Sequence, residues 1–273
     1  MSTLAAKDMG ACEYETSPEL WERIFDAMER YRKLFVFADF DGTLSELVEV
    51  PAKARLDERA GRALRRLSTR PRISVAVLSG RSVDDVAARI GLPITYGGDH
   101  GLELHAPDFD FVVPEANALR ARLPQLANRL RECTQGIPGA LVEVKRFCAS
   151  IHYRLVDPRD IDALRLIVHG VVQLTPFEVH EGKCVLEIRP RVGWGKGHAV
   201  SWLLERYGAS PRQAICLGDD ETDEDMFRWL PSALNIRVVD GAATATSAPF
   251  CIQRPHVAEL LDGLADAVDG SSH

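Results

Sequence analysis

The sequence predicts an α/β protein: a doubly wound parallel-sheet core interrupted by an inserted α+β module. Three observations carry this. The runs Leu34-Phe35-Val36-Phe37-Ala38, 73–78 and Ala214-Ile215-Cys216-Leu217 are short and continuously apolar, as suits strands buried on both faces. Helical patterns alternate with them through short connections, the order of parallel βα units. Between about 107 and 190 the order changes to strand pair, helix, strand pair, which points to an antiparallel sheet with helices on one face.

The elements follow in turn. Ser17-Pro18-Glu19 combines a cap residue, a proline at the first helical position and an acid in the first turn. Leu20, Trp21, Ile24, Phe25, Met28 and Tyr31 then recur at helical spacing. The strand at 34–38 stops at Asp39-Phe40-Asp41-Gly42-Thr43-Leu44. A helix over 57–67, the strand 73–78, Ser79-Gly80-Arg81, a helix over 82–90 and Ile94-Thr95-Tyr96 come next. A proline-bounded stretch, Pro107 to Pro114, precedes a predicted helix of about 17 residues from Glu115. Strands are expected at 141–147, 148–155, 176–181 and 184–189, with a helix over 159–169. The core pattern resumes after Gly193 with a helix over 197–207, the strand 214–217 and a helix over 222–230. The expected organisation is a discontinuous core, 1–108 and 191–273, around an insert at 109–190, with hinges at 107–114 and 190–193.

Composition narrows the function. The 273 residues are 46% hydrophobic and 27% charged, which excludes a disordered or collagen-like chain. A net charge of −7 argues against nucleic-acid binding, which needs clustered Lys and Arg, but allows one small phosphorylated ligand. Cys12, Cys133, Cys148, Cys184, Cys216 and Cys251 form no C-x-x-C pair, and most sit in apolar runs as small hydrophobes. Neither a secretion signal nor a membrane-length apolar run is present, so a cytoplasmic location is expected.

The chemistry gathers at strand ends. In open parallel sheets, ligands bind beyond the carboxyl ends of the strands. Asp39 and Asp41, Ser79, and Asp219 and Asp220 each follow a predicted strand. A single D-x-D also fits a solvated turn or a helix cap. Three such ends with Lys196, in Gly193-Trp194-Gly195-Lys196-Gly197 before a helix, are hard to assign to packing. Hard carboxylate oxygens suit Mg²⁺, and the glycines let the chain approach an anion closely. In the insert, period-two alternation places Glu143 and Lys145 on one strand face, and Ser150, His152 and Arg154 on the next strand's. Glu178 with His180 and Glu187 with Arg189 extend the pattern. Such a face can simply meet water; over a phosphate site it suits sugar hydroxyls.

These residues resemble the four motifs of the haloacid dehalogenase (HAD) superfamily, in order, over positions 34 to about 230. Within it the chain is similar to trehalose-6-phosphate phosphatases. The pointers are Ser-Gly-Arg (79–81), His100-Gly101-Leu102-Glu103, Lys145 with His152-Tyr153-Arg154, Glu187-Ile188-Arg189-Pro190 and Gly-Asp-Asp-x-Thr-Asp-Glu (218–224). The resemblance implies a Rossmannoid core with an inserted α+β cap of type C2 and Mg²⁺-dependent hydrolysis of a small phosphorylated disaccharide. It implies Asp39 as nucleophile and Asp41 as general acid and base, with Ser79 and Lys196 on phosphoryl oxygens. The metal would rest on Asp39, the main-chain carbonyl of Asp41, and Asp219, supported by Asp220 and Asp223. Gly80, Arg81, His100, Glu103, Lys145, His152, Arg154, Glu187 and Arg189 would meet the substrate. Rival readings are another sugar phosphatase, acting on sucrose phosphate or a glycosylglycerate phosphate, and a non-catalytic phospho-sugar sensor. Trp194 has no role in these motifs and reads as either an exposed platform or a packing residue.

Overall fold

A computed structural model describes residues 17–48, 50–182, 184–241 and 245–270. The chain clusters into two compact units, one of the described residues up to Val77 and from Val200 onward, the other of Leu78–Ala199. The segment 109–190 lies wholly within the second. The first unit begins with α1 (Pro18–Arg30), β1 (Leu34–Ala38), α2 (Glu58–Ser68) and β2 (Ile73–Leu78). The chain continues through α3 (Val83–Ile90), β3 (Thr95–Gly98), β4 (Glu103–Ala106), β5 (Phe109–Val112), α4 (Pro114–Leu119) and α5 (Leu123–Thr134). It goes on through β6 (Leu141–Val144), β7 (Ala149–His152), α6 (Ile161–Val172), β8 (Phe177–Gly182) and β9 (Val185–Pro190). Last come α7 (Lys196–Arg206), β10 (Ala214–Gly218), α8 (Glu221–Trp229), β11 (Leu234–Val239), β12 (Phe250–Gln253) and α9 (Val257–Gly270).

In the first unit the strands run β12-β11-β10-β1-β2, all parallel. Every residue of β1 and β10 is buried, which is why both read as unbroken apolar runs. The predicted first helix is present, and Ser17 Oγ accepts from the Leu20 amide at 3.2 Å. The strands β11 and β12 and the helix α9 lie beyond the last element expected from sequence.

In the second unit β3, β4 and β5 form an antiparallel succession, and β6-β7-β9-β8 form a separate antiparallel sheet. The α/β class with an α+β insert is therefore as expected. One face of the second sheet packs Ala149, Ile151, Leu186 and Ile188 on Leu126, Leu130, Leu164 and Val168 of α5 and α6. Fully burying each of those leucines stabilises by about 2 kcal/mol.

One expectation needs correction. The single helix of about 17 residues from Glu115 is two helices, α4 and α5, joined by a 3₁₀ turn at Arg120–Arg122. Pro124 is the cause: lacking an amide hydrogen and clashing with the preceding turn, it sits at the start of a new helix. The stretch 107–114 contains β5 paired with β4, and Val113 donates its amide to Leu102 O. Among the described residues no helix is long and apolar enough to cross a membrane. Cys133, Cys148, Cys184 and Cys216 are free thiols, while Cys251 is disulfide-bonded.

Candidate active site

The acidic residues of the first unit are gathered by strand pairing. β1 and β10 are neighbours in parallel register, and the Asp39 amide donates to Leu217 O at 2.9 Å, so Asp39 and Asp219 leave adjacent strands side by side. Phe40 to Ser45 then closes a tight loop, with Ser45 N on Phe40 O and Gly42 N on Ser45 O, both at 2.9 Å. Gly42 has φ +90°, and a Cβ there would stand 2.1 Å from Asp219 Oδ2. Only glycine serves at that position.

Asp39, Asp219 and Asp223 present carboxylate oxygens within 4.8 Å of one another, and Asp39 and Asp223 are buried. Three like charges so close repel one another unless a cation lies between them, and oxygen-only donors are the set a hard divalent ion prefers. Asp223 Oδ2 also accepts the Asp219 and Asp220 amides at 3.0 and 3.2 Å, which fixes it in the turn. Asp41 is partly exposed, and its carboxylate is outside this group. Asp220, expected to support the metal, caps α8: its Oδ1 accepts from the Asp223 amide at 3.0 Å and from Thr222 Oγ1 at 2.6 Å.

Sequence reasoning missed the support beneath this turn. Arg237 Nη1 donates to Asp220 O at 2.8 Å and reaches Glu224 at 3.3 Å. Glu224, itself buried, also accepts the Ser247 amide at 2.8 Å. The available signal was a lone arginine in the apolar strand β11.

The second unit assembles the basic and sugar-facing candidates. Ser79 is buried and its Oγ accepts the Arg81 amide at 3.1 Å. The loop is clamped by backbone bonds from the 97–100 turn: His100 N to Ser79 O at 2.9 Å and Asp99 N to Arg81 O at 2.8 Å. Lys145 Nζ donates to Gly80 O at 2.9 Å and to Glu187 Oε1 at 3.1 Å. Arg189 Nε donates to Glu187 Oε2 at 3.0 Å. The His100 Nε2 atom stands 2.8 Å from both Glu187 Oε2 and Arg189 Nη2, so its tautomer decides which one it serves. A side chain at Gly80 would press on the His100 ring at 2.7 Å. Lys196 is buried at the start of α7.

Three predicted residues, His100, Lys145 and Arg189, thus converge on a fourth, Glu187, and Lys145 also reaches Gly80 O. Others are engaged elsewhere. Arg81 Nη1 donates to Asp85 at 2.8 Å, Glu103 pairs with Arg146, and His152 pairs with Glu143 at 2.7 Å. Arg154 is exposed in the turn after β7. Trp194 is a packing residue: its Nε1 donates to Gly101 O at 2.8 Å, and its ring packs beside Leu102, Phe147 and Cys148.

Burial pushes the His100 pKa down to about 4, helped by Arg189, so the ring is neutral near neutral pH. Burial also works against a charged Glu187, but His100, Lys145 and Arg189 outweigh it and hold the carboxyl well below its usual range. Glu187→Gln leaves Lys145 and Arg189 without their shared counter-charge. It is expected to destabilise the protein by on the order of 3 kcal/mol in urea unfolding at pH 7. A loss under about 1 kcal/mol would show that the carboxylate does not hold the cluster together.

The family model described as trehalose-phosphatase matches residues 37–254. The trehalose-phosphate phosphatase of Mycobacterium tuberculosis is 41% identical over 243 residues, covering 86% of this chain and 62% of its own length. The chain spans about three-fifths of the length of the curated relatives it matches. The C-terminal domain of Candida albicans trehalose-6-phosphate phosphatase superposes with a TM-score of 0.78 at 23% identity, over 94% of this chain and 99% of that one. A haloacid dehalogenase-like hydrolase from Bacteroides thetaiotaomicron shares the fold with a TM-score of 0.60 at 17% identity, over 88% and 99% of the two chains.

Proposed function

Since the chain belongs to the trehalose-phosphatase family, we propose that it hydrolyses trehalose 6-phosphate to trehalose and phosphate. The observation that carries this is the grouping of Asp39 and Asp219, which follow the carboxyl ends of adjacent parallel strands, with Asp223 in the first turn of α8. Asp39 Oδ attacks phosphorus; an Asp39 acyl-phosphate bond forms as the bond from phosphorus to the sugar oxygen breaks. Asp41 gives its proton to that leaving oxygen. It then takes a proton from the water that attacks the aspartyl-phosphate, which returns Asp39 and frees phosphate. Ser79 and Lys196 bind phosphoryl oxygens, while His100, Lys145, Glu187 and Arg189 bind the sugar.

The carboxylates of Asp39 and Asp219 with the Asp41 carbonyl would hold Mg²⁺, with Asp223 beside them. The ion, when bound, offsets the repulsion between an incoming phosphate dianion and an already anionic site. The test is phosphate release from a panel of sugar phosphates, with Mg²⁺ and after chelation. Turnover of trehalose 6-phosphate should exceed that of sucrose phosphate and a glycosylglycerate phosphate, and should fall at least ~100-fold without the metal. Preference for another sugar would sink the substrate assignment, and no turnover of any ester would favour a sensor.

A further inference from the structure

Asp99 is absent from the machinery above, yet it is buried beside the second unit's polar cluster. Its side chain is fully buried, and neither carboxyl oxygen meets a hydrogen-bond partner of ordinary geometry. A buried carboxyl left in that condition is costly unless it is neutral or faces a cation. The backbone is also unusual: Asp99 and His100 are consecutive non-glycine residues with positive φ, +48° and +59°. The turn therefore holds strain while its amides clamp Ser79 and Arg81. It points one side chain, His100, at Glu187 and Arg189, and buries the other beside Lys145 and Cys148.

We infer that Asp99 is a positioning residue for sugar-phosphate recognition that acts through Lys145: the gain or loss of the proton on its buried carboxyl sets the charge that the Lys145–Glu187–Arg189 cluster presents to substrate. The inference rests on the phosphatase reading. The charged groups that face Asp99 are Lys145, Glu187 and Glu103, with the Cys148 thiol. Burial raises the Asp99 pKa to about 7, against the attraction of Lys145 and Cys148. Below that pH the neutral acid leaves Lys145, Arg189 and Glu187 with one net positive charge, which attracts a phosphate ester. Above it the second carboxylate brings the cluster to zero. Lys145 stays charged throughout: burial opposes its charge, but Glu187 and Asp99 more than compensate and raise its pKa. Cys148 stays a thiol, since burial raises it well above its ordinary value.

The sign for stability follows from linkage. Between about pH 4 and 7 the native chain keeps the Asp99 proton that the unfolded chain has lost, so this residue's contribution to stability declines as pH rises. His100 works the other way, because it stays neutral when native while the unfolded ring is protonated below about 6.5. The two oppose each other, so only the difference between wild type and an Asp99 variant isolates Asp99.

The test is Asp99→Asn, an isostere of the neutral acid that tolerates positive φ. Asp99→Gly, free of any backbone penalty there, is the second variant. In the wild type, KM for trehalose 6-phosphate should rise several-fold from pH 6 to 8 beyond the ionisation of the ester itself, with kcat little changed. Both variants should lose that rise. Their midpoint of thermal unfolding, relative to wild type, should increase steadily from pH 4 to 7 and then level off. Coincident KM profiles, or a midpoint difference that ignores pH, would overturn the assignment. No turnover in the wild type would overturn the phosphatase reading instead, while the unfolding comparison still decides for or against Asp99 as the titrating group.

Discussion

Asp39→Asn is expected to abolish phosphate release, by roughly 10⁴-fold or more, in a protein that folds at least as well as the parent chain. An amide oxygen is a poor nucleophile, and no other carboxylate follows β1 at the position from which its neighbour on β10 is reached. The stability side comes from the same geometry. The oxygens of Asp39, Asp219 and Asp223 lie within 4.8 Å of one another, so removing one charge relieves repulsion that a cation otherwise screens. In chelator, the unfolding midpoint of the variant should therefore equal or exceed that of the parent. With Mg²⁺ added the order should reverse, because the parent gains more from binding a ligand that the unfolded chain does not hold. Calorimetric scans in both conditions, beside a phosphate assay, decide the matter. Residual activity above ~1% would remove Asp39 as the nucleophile. A midpoint below the parent's in chelator would mean that Asp39 stabilises the fold rather than straining it.

What the sequence reveals and what it conceals divide along a physical line. β1 and β10 are legible because burial on both faces leaves no polar position in the run, and the aspartates mark where each strand stops. The polar side of the second sheet is legible because the period of two is exact in a strand: Glu143, Ser150, Glu187 and His180 are cross-strand partners in one row. Pairing between elements is not legible. Arg81, Glu103 and Lys145 look alike in the sequence, yet Asp85 pairs with the first, Arg146 with the second and Glu187 with the third. Asp220 looks like a second metal carboxylate, yet the helix that follows needs a cap, and Asp223 answers it in a reciprocal capping box. Arg237 and Glu224 come together from separate elements, so no local spacing announces them. The helix boundary at Pro124 was legible and was outweighed by the apolar periodicity running through it.

Gly42→Ala should be the most damaging substitution of a residue that carries no functional group. Two costs can be separated by comparison with Gly91→Ala. Gly91 ends α3 at φ +65° with nothing within 4 Å of the added methyl, so alanine there meets backbone strain alone, about 1 kcal/mol. Gly42, at φ +90°, meets the same strain together with a clash, since the added Cβ would stand 2.1 Å from Asp219 Oδ2 and 2.3 Å from its Cγ. The Asp219 side chain is short, so the clash has two outlets. Either its carboxylate rotates out of the group it forms with Asp39 and Asp223, or the loop from Phe40 to Ser45 shifts and takes the Asp39–Asp41 geometry with it. Both displace a group by about an ångström or more, which costs on the order of 10²-fold in rate. Gly42→Ala is therefore expected to lose about that much activity and at least the stability lost by Gly91→Ala, while Gly91→Ala keeps near-native turnover. The concentration of Mg²⁺ needed for half-maximal activity should rise in the first variant only. Full activity in Gly42→Ala would mean that Asp219 need not hold its place, and the assignment of the acidic group as the reaction centre would fall with it.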